Sequence, residues 1–153
     1  MECLKMSNDK KVIISIVDSH ESDGESETSE LITVGTLNGS GDNYSLVYAE
    51  QDEGLKGCIT TIKVEDKRRI VMTRTGEICA EMIIEKDKRH NCHYITPQGD
   101  FMMGIFARYI NSKMNTDGGE LKFQYTIDFN TGLASVNELK VTVKEVSDNV
   151  PLS

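Results

Sequence analysis

The sequence predicts an all-β domain, an antiparallel meander closed into a barrel of about eight to ten strands. Three observations carry that reading. Short apolar stretches recur along the whole chain, turn residues separate them, and the clearest stretches alternate apolar with polar side chains. In Leu121–Phe129 every odd position is apolar or aromatic and every even one polar, so Leu121, Phe123, Tyr125, Ile127 and Phe129 share one face. Leu139, Val141 and Val143 alternate with Lys140, Thr142 and Lys144 in the same way. A long meander with one buried face must pack two sheets together or curl shut, and closure is the simpler way to remove open edges.

Candidate strands fall near 11–18, 29–37, 43–50, 57–65, 68–75, 78–85, 91–96, 100–111, 119–129 and 134–145. The connections have turn chemistry: Asn38–Asn43, Gly54–Gly57, Thr75-Gly76-Glu77, Pro97-Gln98-Gly99, Asp117-Gly118-Gly119 and Asn130-Thr131-Gly132. The two prolines, Pro97 and Pro151, stay out of strand interiors. Phe101–Met114 also fits an amphipathic helix, with Phe101, Ile105 and Tyr109 on one side. Gly104 and the β-branched and aromatic residues favour a strand. Residues 19–30, acidic and serine-rich over Glu21–Glu30, are expected to be a solvated loop, and residues 1–10 and 147–153 to be frayed.

A chain of 153 residues fits one domain, 1–153, and buries roughly two-thirds of its unfolded surface without a disulfide or metal. The net charge of −8 and the scattered Lys and Arg argue against nucleic acid. The short basic run Lys86–Arg89 reads as a solvated turn. No basic region followed by an apolar one opens the chain, and no stretch approaches the length of a membrane span. The expectation is a cytoplasmic protein with Cys3, Cys58, Cys79 and Cys92 as free thiols.

Six stretches in this order and spacing resemble the YwiB-like proteins: Val34–Leu37, Tyr44–Glu50, Gly57–Val64, Arg74-Thr75-Gly76, Tyr94–Gly99 and Gly118–Leu121. The resemblance runs from about Val12 to Val146. It implies a calycin or lipocalin-like barrel, an intracellular bacterial setting and no assigned activity. The acidic insert Glu21–Glu30 is longer than the family usually carries, so nothing passes to it.

Chemistry is sparse. Tyr44, Leu46, Tyr48 and Glu50 share a face, as do Ile70, Met72 and Arg74. If both faces point inward, a carboxylate and a guanidinium meet near the interior, where a bidentate Glu50–Arg74 pair would satisfy both. Met82, Tyr94 and Tyr125 join Tyr48, Glu50 and Arg74 as candidate ligand-binding residues lining a mostly apolar cavity. Each of these also has a plain reading, as a permanent ion pair or ordinary core.

His90, Cys92 and His93 do not make a metal site, because adjacent Cys92 and His93 face opposite ways and no companion pair exists. There is no nucleophile elbow, no P-loop and no dinucleotide fingerprint. No cofactor and no catalytic residue is assigned. Three function classes stay open. One is a binding protein for a small, mostly apolar ligand, with or without one anionic group, and Arg74 as polar anchor. Another is an interaction or homodimerising module with a solid core. The third is an enzyme using Glu50 and Arg74.

Overall fold

Period-two alternation needs neighbours on both sides of every strand if no edge is to be left open, and the chain supplies them in its simplest order. The structure is a computed structural model and describes residues 9–51, 53–129 and 132–146. Its strands are β1 (Lys10–Ser22), β2 (Glu25–Ser40), β3 (Asn43–Ala49), β4 (Ile59–Glu65), β5 (Arg69–Thr75), β6 (Cys79–Glu85), β7 (Arg89–Thr96), β8 (Gly99–Asn115), β9 (Gly118–Asp128) and β10 (Leu133–Glu145). Each pairs antiparallel with its neighbours in sequence, and β1 pairs with β10 to close the ring. A 3-10 turn at Glu53–Leu55 lies in the β3–β4 connection. No helix among the described residues is long and apolar enough to cross a membrane.

The Phe101–Met114 segment is strand throughout, within β8. Gly104 serves there by its missing Cβ, which would collide with the Arg89 guanidinium. Arg89 instead crosses the outer wall to hold Asp128 through two hydrogen bonds, Nε to Oδ2 at 3.0 Å and Nη2 to Oδ1 at 2.7 Å. The basic run Lys86–Lys88 is the exposed turn between β6 and β7.

Three expectations are corrected. Residues 19–30 are not a loop: they complete β1 and begin β2, paired from Ser19↔Thr28 to Ser22↔Glu25. Asp23 and Gly24 take φ of 53° and 78°, the mirror-image turn that an Asp-Gly pair favours, so the polar arms zip into a hairpin although they bury almost nothing. Phe129 does not continue the buried face of β9; it lies just past the strand end and is 47% exposed. Lys10, placed in the frayed start, opens β1. Cys3, residues 1–8 and 147–153, Pro151 and part of the Asn130–Gly132 turn lie outside the described residues.

The interior is unevenly filled. At one end Val12, Ile14, Leu46, Ile62, Val64, Ile70, Ile84, Ile105, Leu121, Phe123 and Val141 close it solidly. A Tyr44–Ser112 hydroxyl pair, 2.7 Å apart, is set into that floor, and burial pushes the Tyr44 phenol up to about 12. Toward the other end the same strands present Ile16, Tyr48, Met72, Met82, Tyr125 and Leu139. That is also the end from which the β1–β2 hairpin projects.

The ladders are unequal. β1 follows β10 from Val12 to Glu21, whereas β6 and β7 pair only at Cys79↔Ile95 and Ala80↔Tyr94. Below that point the Cys92 thiol accepts a hydrogen bond from the Ile83 amide at 3.4 Å.

Gly35 tests how tightly the wall is packed. A Cβ there would sit 2.3 Å from the Val47 carbonyl oxygen and 2.7 Å from Ile14 Cδ1. Gly35→Ala is expected to lower stability in urea unfolding by about 1–3 kcal/mol. Gly54→Ala, which meets open space, should leave the midpoint unchanged.

Candidate functional site

Where the floor of Ile, Leu and Phe ends, side chains no longer fill the ring. A cavity of about 570 Å³ remains, within the range of small-molecule sites. Its lining contains Tyr48, Glu50, Arg74, Met82, Tyr94 and Tyr125, the whole set singled out from sequence. Alternation brings them together: each occupies an inward position near the same end of its strand or just beyond it.

Arg74 on β5 is the centre of the polar wall. Its Nη2 donates to Glu50 Oε2 at 3.2 Å, its Nε to Thr60 Oγ1 at 3.3 Å and its Nη1 to the Tyr94 hydroxyl at 3.4 Å. Thr60 Oγ1 donates in turn to Glu50 Oε2 at 2.6 Å. The expected bidentate pair is therefore corrected. The guanidinium meets one carboxylate oxygen and spreads its other contacts over a hydroxyl and a phenol, because β4 places Thr60 between the two charged groups. The pair is mostly out of water, with the side chains 17% and 8% exposed for Arg74 and Glu50. Burial alone would weaken the Arg74 charge, but Glu50 and the neighbouring Tyr94 and Tyr48 outweigh it and hold the guanidinium above its usual range.

Tyr48 and Tyr125 are kept as neutral phenols. Burial, reinforced by Glu50, raises Tyr48, and burial with Asp18 raises Tyr125. Met72, Met82, Met103, Ile127 and Leu139 supply the apolar side. Beyond the wall, Phe101 continues the inward parity of β8 and Phe129 lies just past the end of β9, each about half exposed at the open end.

Two participants were missed in the sequence. Thr60 is fully buried and looks unremarkable in a run of threonines. Asp18 follows Val12, Ile14 and Ile16 at period two, which could have placed its carboxylate inside. Asp18 lies on β1, across the ring from Arg74, with Leu139 and Ser29 as its ladder partners. No side chain among the described residues hydrogen-bonds or ion-pairs with it. Burial pushes its carboxyl upward, an effect that His20 and Arg74 only partly offset.

The remaining candidates are not brought into this site. Cys92 is buried and His93 exposed, as strand parity requires, and the Nε2 of His90 contacts Glu85 Oε1 at 2.8 Å. No cluster of metal-ligating side chains occurs among the described residues. Cys58, Cys79 and Cys92 are free thiols.

Removing one member of the polar wall strands the other. Glu50→Leu should cost about 2 kcal/mol or more in urea unfolding, and adding Arg74→Met should recover most of the loss. Strictly additive losses would show that the two groups do not interact. Asp18 behaves in the opposite sense. Its folded-state pKa is raised above the ordinary 3.8, so the folded protein binds that proton more tightly than the unfolded chain. Its contribution to stability declines as pH rises from about 3.8 through the raised value. Asp18→Asn is therefore expected to melt higher than the parent at pH 7, with the difference closing below pH 3.8, as followed by circular dichroism.

Comparisons with known proteins follow the same outline. No curated protein matches the chain. The crystal structure of the YwiB protein from Bacillus subtilis is similar with a TM-score of 0.82 over 93% of this chain and 96% of that one. At 17% identity the likeness extends to the fold and not to residue roles. The family described as Domain of unknown function (DUF1934) matches residues 14–141, from within β1 to within β10. With the barrel, the YwiB likeness and this match in agreement, the chain belongs to the DUF1934 family.

Proposed function

We propose that this protein is a non-enzymatic, cytoplasmic binding barrel that takes a small, mostly apolar ligand into the open end of its interior. The cavity of about 570 Å³ carries the reading, because methionines and aliphatic side chains line most of it and a few polar groups converge on one wall. Exposed Phe101 and Phe129 at the mouth fit the passage of an apolar body. Free thiols at Cys58, Cys79 and Cys92 fit a reducing compartment.

Arg74 acts as polar anchor. Three of its five N–H groups are used by Glu50, Thr60 and Tyr94, which leaves donors for an acceptor atom on the ligand. The dominant polar contact inside the cavity is thus a rigid donor held in place before the ligand arrives, so little ordering accompanies binding. A rival reading, an interaction or dimerising module, is favoured by Ile32 and Val34, which lie exposed on the outer face of β2.

Native mass spectrometry of the protein purified from its own host separates the two. A bound small molecule released on unfolding is expected; a stable oligomer carrying none would favour the module. With decanol as an uncharged probe, the parent should show a concentration-dependent rise in Tm. Arg74→Met should weaken decanol binding by about tenfold. An undiminished decanol response in a folded Arg74→Met variant would remove the anchor role.

A further inference from the structure

The charge lining the cavity is one-sided, and it specifies what kind of polar group the ligand brings. Arg74 is the one cation among its described lining residues, and Glu50 already compensates it. Asp18 remains on the opposite wall, its carboxylate without a hydrogen-bond or ion-pair partner among the described residues. Glu30, exposed and on the outer parity of β2, borders the cavity at its rim.

The bias continues outside. The β1–β2 hairpin projects from this end and carries Glu21, Asp23, Glu25, Glu27 and Glu30, all exposed. Among the described connections at the same end, one lysine appears, Lys56, in the β3–β4 connection. Carboxylates at a partly enclosed mouth focus a negative potential inward, which raises the local concentration of cations and repels anions.

Aromatic chemistry points the same way. Tyr48, Tyr94 and Tyr125 line the cavity, and the faces of such rings attract cations. A half-buried carboxylate with no protein partner keeps part of its charge facing the cavity, and a ligand cation is the partner that charge attracts.

We propose that the site selects a cationic amphiphile, an apolar body bearing an amine or quaternary ammonium group that sits against Asp18. This rests on the binding reading above and fixes the sign of the ligand's charged group, opposite to the anionic group that the sequence allows. Arg74, held by Glu50, contributes hydrogen bonds to an acceptor rather than a net positive field.

The test compares decyltrimethylammonium, decanoate and uncharged decanol below their micellar concentrations, each measured by titration calorimetry and by Tm shift on the unmodified protein. The cation should bind about tenfold or more tighter than the carboxylate. Asp18→Asn, which preserves size, should reduce the cation-to-decanol affinity ratio by about tenfold. Arg74→Met, which leaves Glu50 uncompensated, should move the cation-to-carboxylate ratio further toward the cation. Equal binding of cation and carboxylate, or tighter binding of decanoate, overturns the charge selection while leaving the binding barrel standing. Failure of all three probes to bind overturns the binding barrel itself.

Discussion

Strand number sets everything else in this molecule. A closed antiparallel ring widens as strands are added, and a ring of ten is wider than inward side chains readily fill along its full length. Isoleucine, leucine and phenylalanine succeed at one end, where a floor of fully buried side chains forms. At the other, methionines and tyrosines line a cavity and do not fill it. The empty volume is thus a property of the ring's circumference and of which residues stand at its two levels.

That geometry explains why ionisable groups are tolerated inside. Glu50, Arg74 and Thr60 come from β3's end, β5 and β4, three consecutive members of the ring, and so meet side by side on one wall. Their mutual hydrogen bonds replace the water each gives up. Asp18 stands four strands away by the shorter route round the ring and receives no such compensation. The interior therefore has one polar wall tied together by protein contacts and, across the ring, a half-buried carboxylate with no protein partner among the described residues.

Much of this was legible in the chain. The ten strands, the closure and the inward set Tyr48, Glu50, Arg74, Met82, Tyr94 and Tyr125 follow from period-two alternation and turn chemistry, which are local and survive translation into three dimensions. Three things escaped. The acidic arms of the β1–β2 hairpin were read by their polarity, although Asp23-Gly24 between them is a strong turn signal in its own right. The single-oxygen contact of Arg74 depends on Thr60 intervening from a separate strand, a relation no spacing encodes. Asp18 gives no such signal because the three aliphatic residues before it define the face and the hydrophobic pattern ends with them.

The slender junction of β6 with β7 gives the cylinder a built-in cut line. The other ladders each run over six or more consecutive pairs, but here only Cys79–Ala80 and Tyr94–Ile95 pair, with the Cys92 sulfur bridging to one amide below. The exposed turn Lys86–Lys88 lies at the same base of the barrel as the paired chain segments at Val12 and Glu145. A circularly permuted chain beginning at β7 and finishing at β6 would thus cut the wall at its shortest ladder and make the long β1–β10 closure continuous in sequence.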